Sequence, residues 1–296
     1  MRIGVDFGGT KIEAAALGDD DVFLVRIREP NPGGYDAAIR TVRDLVRRVE
    51  AETGRTGTVG IGTPGSVSPS TGLMRNANST WLNGRRFKED LAQALDREVR
   101  LANDADCLAL SEAHDGAGRE GRVVFAAILG TGCGGGVVID GRLVEGANGI
   151  AGEWGHISLP WPAADEAPGP ACWCGLNGCL ETWISGTGFQ RDHAEVTGHA
   201  LSAEAIVAAA RSGDPAARAS LLRYIDRLGR AFAMVANLID PDVFVLGGGL
   251  SNVDELYAGL HPVIARHVFA DDWGATVIAS WWGDSSGVRG AARLWP

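Results

Sequence analysis

The chain has 296 residues, of which 22% are charged and 45% hydrophobic, and its net charge is −10. That length suits one large domain or two of ordinary size, and the composition is that of a globular protein. The acidic balance, unbroken by any Lys/Arg run, argues against nucleic acid or an anionic membrane as the main partner, because both need a basic footprint.

Arg2–Asp6 reads as a strand ending on an acid, Phe7–Lys11 as a turn, Ile12–Leu17 as a second strand, and Val22–Ile27 as a third after the turn at Asp19–Asp21. Three strands joined by tight turns make an antiparallel opening. No signal peptide is visible before it, and no run of 18 apolar residues occurs anywhere, so the expectation is a cytoplasmic protein without a membrane span. Tyr35–Glu52 carries Ile39, Val42, Leu45, Val46 and Val49 at helical spacing. A strand at Val59–Ile61, a helix near Phe87–Leu95, a strand at Val99–Leu101 and a helix at Asp104–His114 follow.

The strand–turn opening then recurs. Val123–Leu129 leads into a glycine turn over Gly130–Gly136, a strand at Val137–Asp140, a turn at Asp140-Gly141 and a short strand. Later come a long amphipathic helix near Pro215–Leu238, a buried strand at Val243–Leu246 and a helical tail after Gly283. Two α/β domains on one plan, with a cleft between them, are the natural reading. The expected division is 1–116, joined by the C-terminal helix 284–296, and 117–283, with a metal-binding insertion at 153–182.

Glycine, at 42 residues, is about twice as frequent as usual. In Asp6-Phe7-Gly8-Gly9-Thr10-Lys11 the glycines let backbone N–H groups converge on phosphate oxygens, with Thr10 adding a hydroxyl and Lys11 a charge. Asp6 would face the Mg2+ that travels with ATP. A plain hairpin needs the same glycines, so that reading stays open. Gly130-Thr131-Gly132-Cys133-Gly134-Gly135-Gly136 repeats the idea with five glycines in seven residues. Neither loop is of the Walker type, and neither is a dinucleotide fingerprint, since a strand follows each. Two such hairpins suit a nucleotide gripped from both sides. Asp240-Pro241-Asp242 leads through Val243–Leu246 into Gly247-Gly248-Gly249, where an adenine or ribose could lie against bare backbone. A strand-to-helix turn is equally consistent.

The five cysteines are an odd count that disfavours a disulfide framework here. His156, Cys172, Cys174 and Cys179 fit a tetrahedral Cys₃His site, and the closed ligand set points to structural Zn2+. Such a knot would tie His156 and Glu153 to Glu181, and acids held rigidly can accept hydrogen bonds from sugar hydroxyls. Solvated surface is the competing reading for both glutamates. Asp104 stands where the strand Val99–Leu101 has run out, a place where side chains enter a cleft in α/β folds. It also stands where a helix N-cap is expected. Phosphoryl transfer needs a carboxylate on the attacking hydroxyl, a metal on the phosphates, and positioning.

Taken together these pieces resemble the ROK family of sugar kinases over Met1–Pro296. The resemblance rests on Asp6–Lys11, Asn103-Asp104, Leu129–Gly136, Glu153–His156, the cysteine cluster and Asp240–Gly249. Asn76–Gly84 and the ending Gly283–Ala292 look most like bacterial fructokinases that also accept mannose. The resemblance implies an α/β, two-domain actin-like ATPase (ribonuclease H-like) fold with an interdomain sugar cleft, usually dimeric. It implies Asp104 as general base, and Asn103, Glu153, His156 and Glu181 on other sugar hydroxyls, with Gly65 and Asn78 as further contacts. One ring nitrogen of His156 would face the zinc and the other the sugar. ATP would lie against Asp6, Gly8, Gly9, Thr10, Lys11, Gly130, Thr131, Gly132, Gly247, Gly248 and Gly249.

The expected reaction is phosphorylation of fructose to fructose 6-phosphate, with mannose second. A glucokinase or an N-acetylhexosamine kinase of the same family is the alternative. The family's sugar-responsive repressors carry a helix-turn-helix segment before the first glycine hairpin, which here begins at Asp6 in an acidic chain, so that reading is disfavoured. A nucleotide-binding structural protein of actin type is disfavoured by the cysteine cluster and the carboxylates.

Overall fold

The computed structural model describes residues 1–296. Its order is β1 (Arg2–Phe7), β2 (Lys11–Leu17), β3 (Phe23–Pro30), α1 (Tyr35–Thr53), β4 (Thr58–Thr63), the short pair β5 (Ser66–Val67) and β6 (Met74–Arg75), α2 (Phe87–Leu95), β7 (Val99–Asn103) and α3 (Asp104–Asp115). After these come β8 (Val123–Leu129), β9 (Cys133–Ile139), β10 (Arg142–Leu143), α4 (Glu181–Ile184), α5 (Gly186–Thr197), α6 (Ala203–Arg211) and α7 (Pro215–Ile239). The chain closes with β11 (Val243–Gly247), α8 (Asp254–Ala265), β12 (Thr276–Ala279) and α9 (Ser286–Ala292). No helix is long and apolar enough to cross a membrane.

The two main sheets share one plan. The first has the order β3-β2-β1-β4-β7 and the second β10-β9-β8-β11-β12. In the first, β1, β2 and β3 run antiparallel, while β1, β4 and β7 run parallel. In the second, β8, β11 and β12 are parallel and β9 pairs antiparallel with β10. The chain forms two compact units, one of Met1–Gly116, Gly136–Ala151 and Trp281–Pro296, the other of Ala117–Gly135 and Gly152–Ser280.

Sequence pattern explains most of the elements. Strands β1 and β2 are almost wholly buried, whereas β3 alternates between exposed and half-buried residues, as a one-sided antiparallel edge does. Helix α1 buries Ala38, Val42, Leu45, Val46 and Val49 along one stripe and ends at Gly54, whose φ of 64° is left-handed. Helix α7 starts with Pro215 at its first position and the Asp214 carboxylate accepting from Ala217 N–H at 2.7 Å.

One expectation is corrected. The second glycine run is not a turn through Gly136, because β9 already begins at Cys133 and the turn is confined to the preceding residues. Gly136 lies in that strand against the backbone of α3, where a Cβ would stand 2.5 Å from Ala105 O. The bare backbone there serves close packing rather than reversal.

Helix α9 packs against β1, β4 and α3 of its own unit. A Cβ on Gly4 would come within 1.9 Å of Val288 O, and one on Gly60 within 1.8 Å of Ala291 O. The tail is also fastened chemically. The buried Glu112 carboxylate accepts from Trp281 N–H at 2.9 Å, Trp282 N–H at 3.0 Å and the Ser286 hydroxyl at 2.7 Å. Asp115 pairs with Arg289 and Arg293, and the Arg289 guanidinium lies 3.8 Å over the Trp282 ring.

Candidate functional site

In the first unit the polar residues gather where the parallel strands β1, β4 and β7 end, the usual ligand side of such sheets. The β1–β2 turn is closed by Gly8 N–H donating to Lys11 O at 3.0 Å. Asn31 braces it from outside, its amide donating to Gly8 O at 2.7 Å and its backbone N–H to Thr10 O at 2.9 Å. Gly9 and Thr10 are exposed and Lys11 is half-buried.

Asp6 stands opposite Glu13 in the β1–β2 ladder, and Glu13 is a buried carboxylate held by Arg26 and Arg28. Burial raises the Asp6 carboxyl from 3.8 to about 6, and repulsion from Asp104 and Glu13 adds to that, while Lys11 and Arg28 pull the other way. A cation brought against this carboxyl would favour its ionised form and so oppose the rise. Asp104, the first residue of α3, is exposed, and the helix cap is Asn103, whose Oδ1 accepts from Ala105 N–H at 2.7 Å. Asp104 Oδ1 lies 2.8 Å from the same N–H.

Asn78 is exposed, on a loop fixed by Asn83, which donates to Ala77 O at 3.0 Å and accepts from Ala77 N–H at 2.9 Å. Gly65 is buried beneath that segment with φ 74°, and a Cβ there would lie 2.3 Å from Arg75 O.

In the second unit the glycine segments lie side by side. Gly247 pairs with Ile128 at the end of the β8–β11 ladder, and a Cβ on Gly248, whose φ is 82°, would be 2.6 Å from Leu129 O. The Gly130–Gly132 turn is held from several directions. Gly186 N–H donates to Gly130 O at 2.7 Å, the Thr187 hydroxyl donates to Thr131 O at 2.8 Å, and Cys133 N–H donates to Glu181 Oε2 at 3.0 Å. Within the turn, Gly130 N–H donates to Gly132 O at 3.1 Å.

His156 and the three cysteines of the cluster converge, their ligand atoms all lying within 4.8 Å of one another. Cys174 Sγ is 3.6 Å from Cys179 Sγ, and Cys172 Sγ is 3.7 Å from His156 Nδ1. Those separations match the edge of about 3.8 Å that a tetrahedron of Zn–S bonds near 2.3 Å requires, and all the cysteines are free thiols. The residues therefore fit zinc, with Nδ1 as the ring nitrogen turned to the cluster. The 3₁₀ turn Trp154–His156 that presents the histidine is pinned by Trp154, which stacks on Phe232 at 5.3 Å and donates to Gly134 O at 3.0 Å. Glu153, at the start of that turn, is half-buried.

Glu181 opens α4 just beyond Cys179 and links two features that the sequence treats separately. Its Oε2 receives the Cys133 N–H of the glycine turn, and its Oε1 receives the indole N–H of Trp173 at 2.7 Å, from within the cysteine run. Three supporting residues escape sequence reasoning: Asn31, Thr187 and Trp173. Only Trp173 leaves a signal there, a large aromatic between two metal-type cysteines.

Two sheets of identical order, each an antiparallel hairpin continued by parallel strands, define a two-domain actin-like α/β ATPase fold. The ROK family model matches residues 2–296, and the chain belongs to the ROK family. An N-acetyl-D-glucosamine kinase of Pectobacterium carotovorum is 41% identical over 300 residues, covering 99% of this chain and 98% of that one. An N-acetylgalactosamine kinase of a Shewanella species is 41% identical, covering 99% and 96%. Among solved structures, the ROK hexokinase of Thermus thermophilus superimposes with a TM-score of 0.88 at 32% identity, covering 98% of this chain and 96% of that one. The activity is that of a sugar kinase, transferring a phosphoryl group from ATP to a sugar.

Proposed function

We propose that this chain is an N-acetylhexosamine kinase that phosphorylates N-acetyl-D-glucosamine with MgATP. The observation that carries the reading is the 41% identity, over 99% of the chain, to a kinase named for that sugar. N-acetylgalactosamine is the second candidate, because a relative named for it is equally similar. Fructose, suggested by Asn76–Gly84 and Gly283–Ala292, gives way to the N-acetylhexosamines because these relatives are named for them.

In this proposal Asp104 takes the proton from the attacking sugar hydroxyl, and its exposed place at the start of α3, with Asn103 doing the capping, supports that role. Asn103, Glu153, His156 and Glu181 hold the other hydroxyls, and the Gly65 and Asn78 segments add contacts. The nucleotide lies on Gly8–Lys11, Gly130–Gly132 and Gly247–Gly249. Mg2+, when bound, neutralises phosphate charge, and Asp6 gives up its proton and faces it. His156, Cys172, Cys174 and Cys179 hold a structural zinc that fixes the histidine ring. Cytoplasmic location and homodimeric assembly rest on the family resemblance.

Initial rates with N-acetylglucosamine and with glucose test the proposal. A site built to bond the acetamido group rejects the sugar lacking it by a large factor, so kcat/KM should favour N-acetylglucosamine at least about tenfold. Equal values would refute recognition of the N-acetyl group.

A further inference from the structure

Trp173 sits between two cysteines of the metal cluster, yet its side chain is 64% exposed, unusual for so large an aromatic. It is nonetheless fixed at both ends. The indole N–H donates to Glu181 Oε1 at 2.7 Å, and the ring meets the His156 imidazole edge-on, with centroids 4.8 Å apart and planes at 90°. The same indole lines an open cavity of about 350 Å³ together with Cys172, Glu181, Thr182, Thr187 and Arg191.

From this geometry we infer that Trp173 is a positioning and specificity residue for the sugar, acting through Glu181. The inference rests on the proposed role of Glu181 as a ligand of sugar hydroxyls. A glutamate carboxylate on a short helix has freedom about its side-chain torsions, and a sugar site needs that freedom removed before the sugar arrives. Here Cys133 N–H takes one oxygen and the Trp173 indole takes the other. Each oxygen keeps a further acceptor lone pair for a hydroxyl. Because Trp173 is flanked by Cys172 and Cys174, a metal that gathers these thiols also fixes the indole, and through it Glu181. Trp173 thus transmits the order of the cysteine cluster to a carboxylate that is not itself in it.

Trp173→Phe keeps an aromatic ring at this position while removing the N–H together with part of the indole's bulk. With N-acetylglucosamine as the probe, its dissociation constant, read by calorimetry on the intact protein, should rise about tenfold, the usual worth of one hydrogen bond to a charged group. KM for the sugar should rise in step, while KM for MgATP and bound zinc per chain stay unchanged. The double variant Trp173→Phe/Glu181→Gln should bind the sugar no more weakly than Glu181→Gln alone, since the indole acts through the carboxylate.

Unchanged sugar binding in Trp173→Phe, alongside weakened binding in Glu181→Gln, would overturn the role of Trp173 and leave that of Glu181 standing. Tighter binding in Trp173→Phe would also overturn it, by showing that the indole competes with the sugar for Glu181. Unchanged binding in Glu181→Gln would remove the assignment of Glu181 itself, and the inference with it.

Discussion

Asp6→Asn gives a prediction whose sign and size follow from the electrostatics of the first unit. The Asp6 carboxyl is raised from 3.8 to about 6 in the folded chain, chiefly by burial and then by Asp104 and Glu13. That rise corresponds to roughly 3 kcal/mol. The folded state holds its proton longer than the unfolded state, so stability falls as pH rises from about 4 to about 6 and the loss persists above that. Asparagine cannot ionise. The stability of Asp6→Asn relative to wild type should therefore increase by about 3 kcal/mol between about pH 4 and pH 7. Urea titrations of both proteins across that range, without nucleotide or divalent metal, read the difference directly. The stabilised variant should at the same time bind MgATP poorly, because the ionised carboxylate is what the metal requires. A difference that stays flat with pH, or falls, would refute the reasoning.

Asp104→Asn should lower kcat by about 10²–10⁴-fold with sugar binding largely intact, and near-normal turnover in steady-state assays would show that Asp104 is not the base. Removing zinc with a chelator, or substituting Cys179→Ser, should weaken N-acetylglucosamine binding while nucleotide binding changes little. Metal analysis and calorimetry on the same samples check this. Glu112→Ala deprives three donors of a buried acceptor and should cost about 3 kcal/mol or more, measured by urea unfolding. Gly60→Ala would drive a Cβ into Ala291 O at 1.8 Å, so thermal melting should show a fall in Tm of several degrees.

Much of this arrangement is legible in the sequence because it rests on local signals. The β1–β2 and β8–β9 hairpins, the α1 stripe and the cysteine spacing are patterns within a few residues, and they place the glycine turns and the metal-type cluster. What escapes is set by distant partners. Gly134–Gly136 look like a turn because glycine usually marks one, but Gly136 is required by the backbone of α3 beside it. Helix α8 carries Pro262 in its interior, and β12 is a four-residue, largely exposed strand, so neither announces itself. Asp104 and Asn103 are equally good caps by residue type, and the fold gives the cap to Asn103. The bond from Trp173 to Glu181 crosses eight positions, from an irregular loop to the first residue of α4, where no periodicity predicts contact. The choice of sugar is the least legible, since it lies in a few hydrogen bonds whose geometry no motif encodes.

Comparison of kcat/KM for N-acetylglucosamine, N-acetylgalactosamine, N-acetylmannosamine, glucose, mannose and fructose, in one coupled ADP-release assay with MgATP and zinc-replete protein, decides which sugar this kinase is built for. An N-acetylhexosamine should lead, with N-acetylglucosamine first. Fructose in the lead would overturn the assignment of the sugar, and no turnover with any of them would contradict the kinase itself.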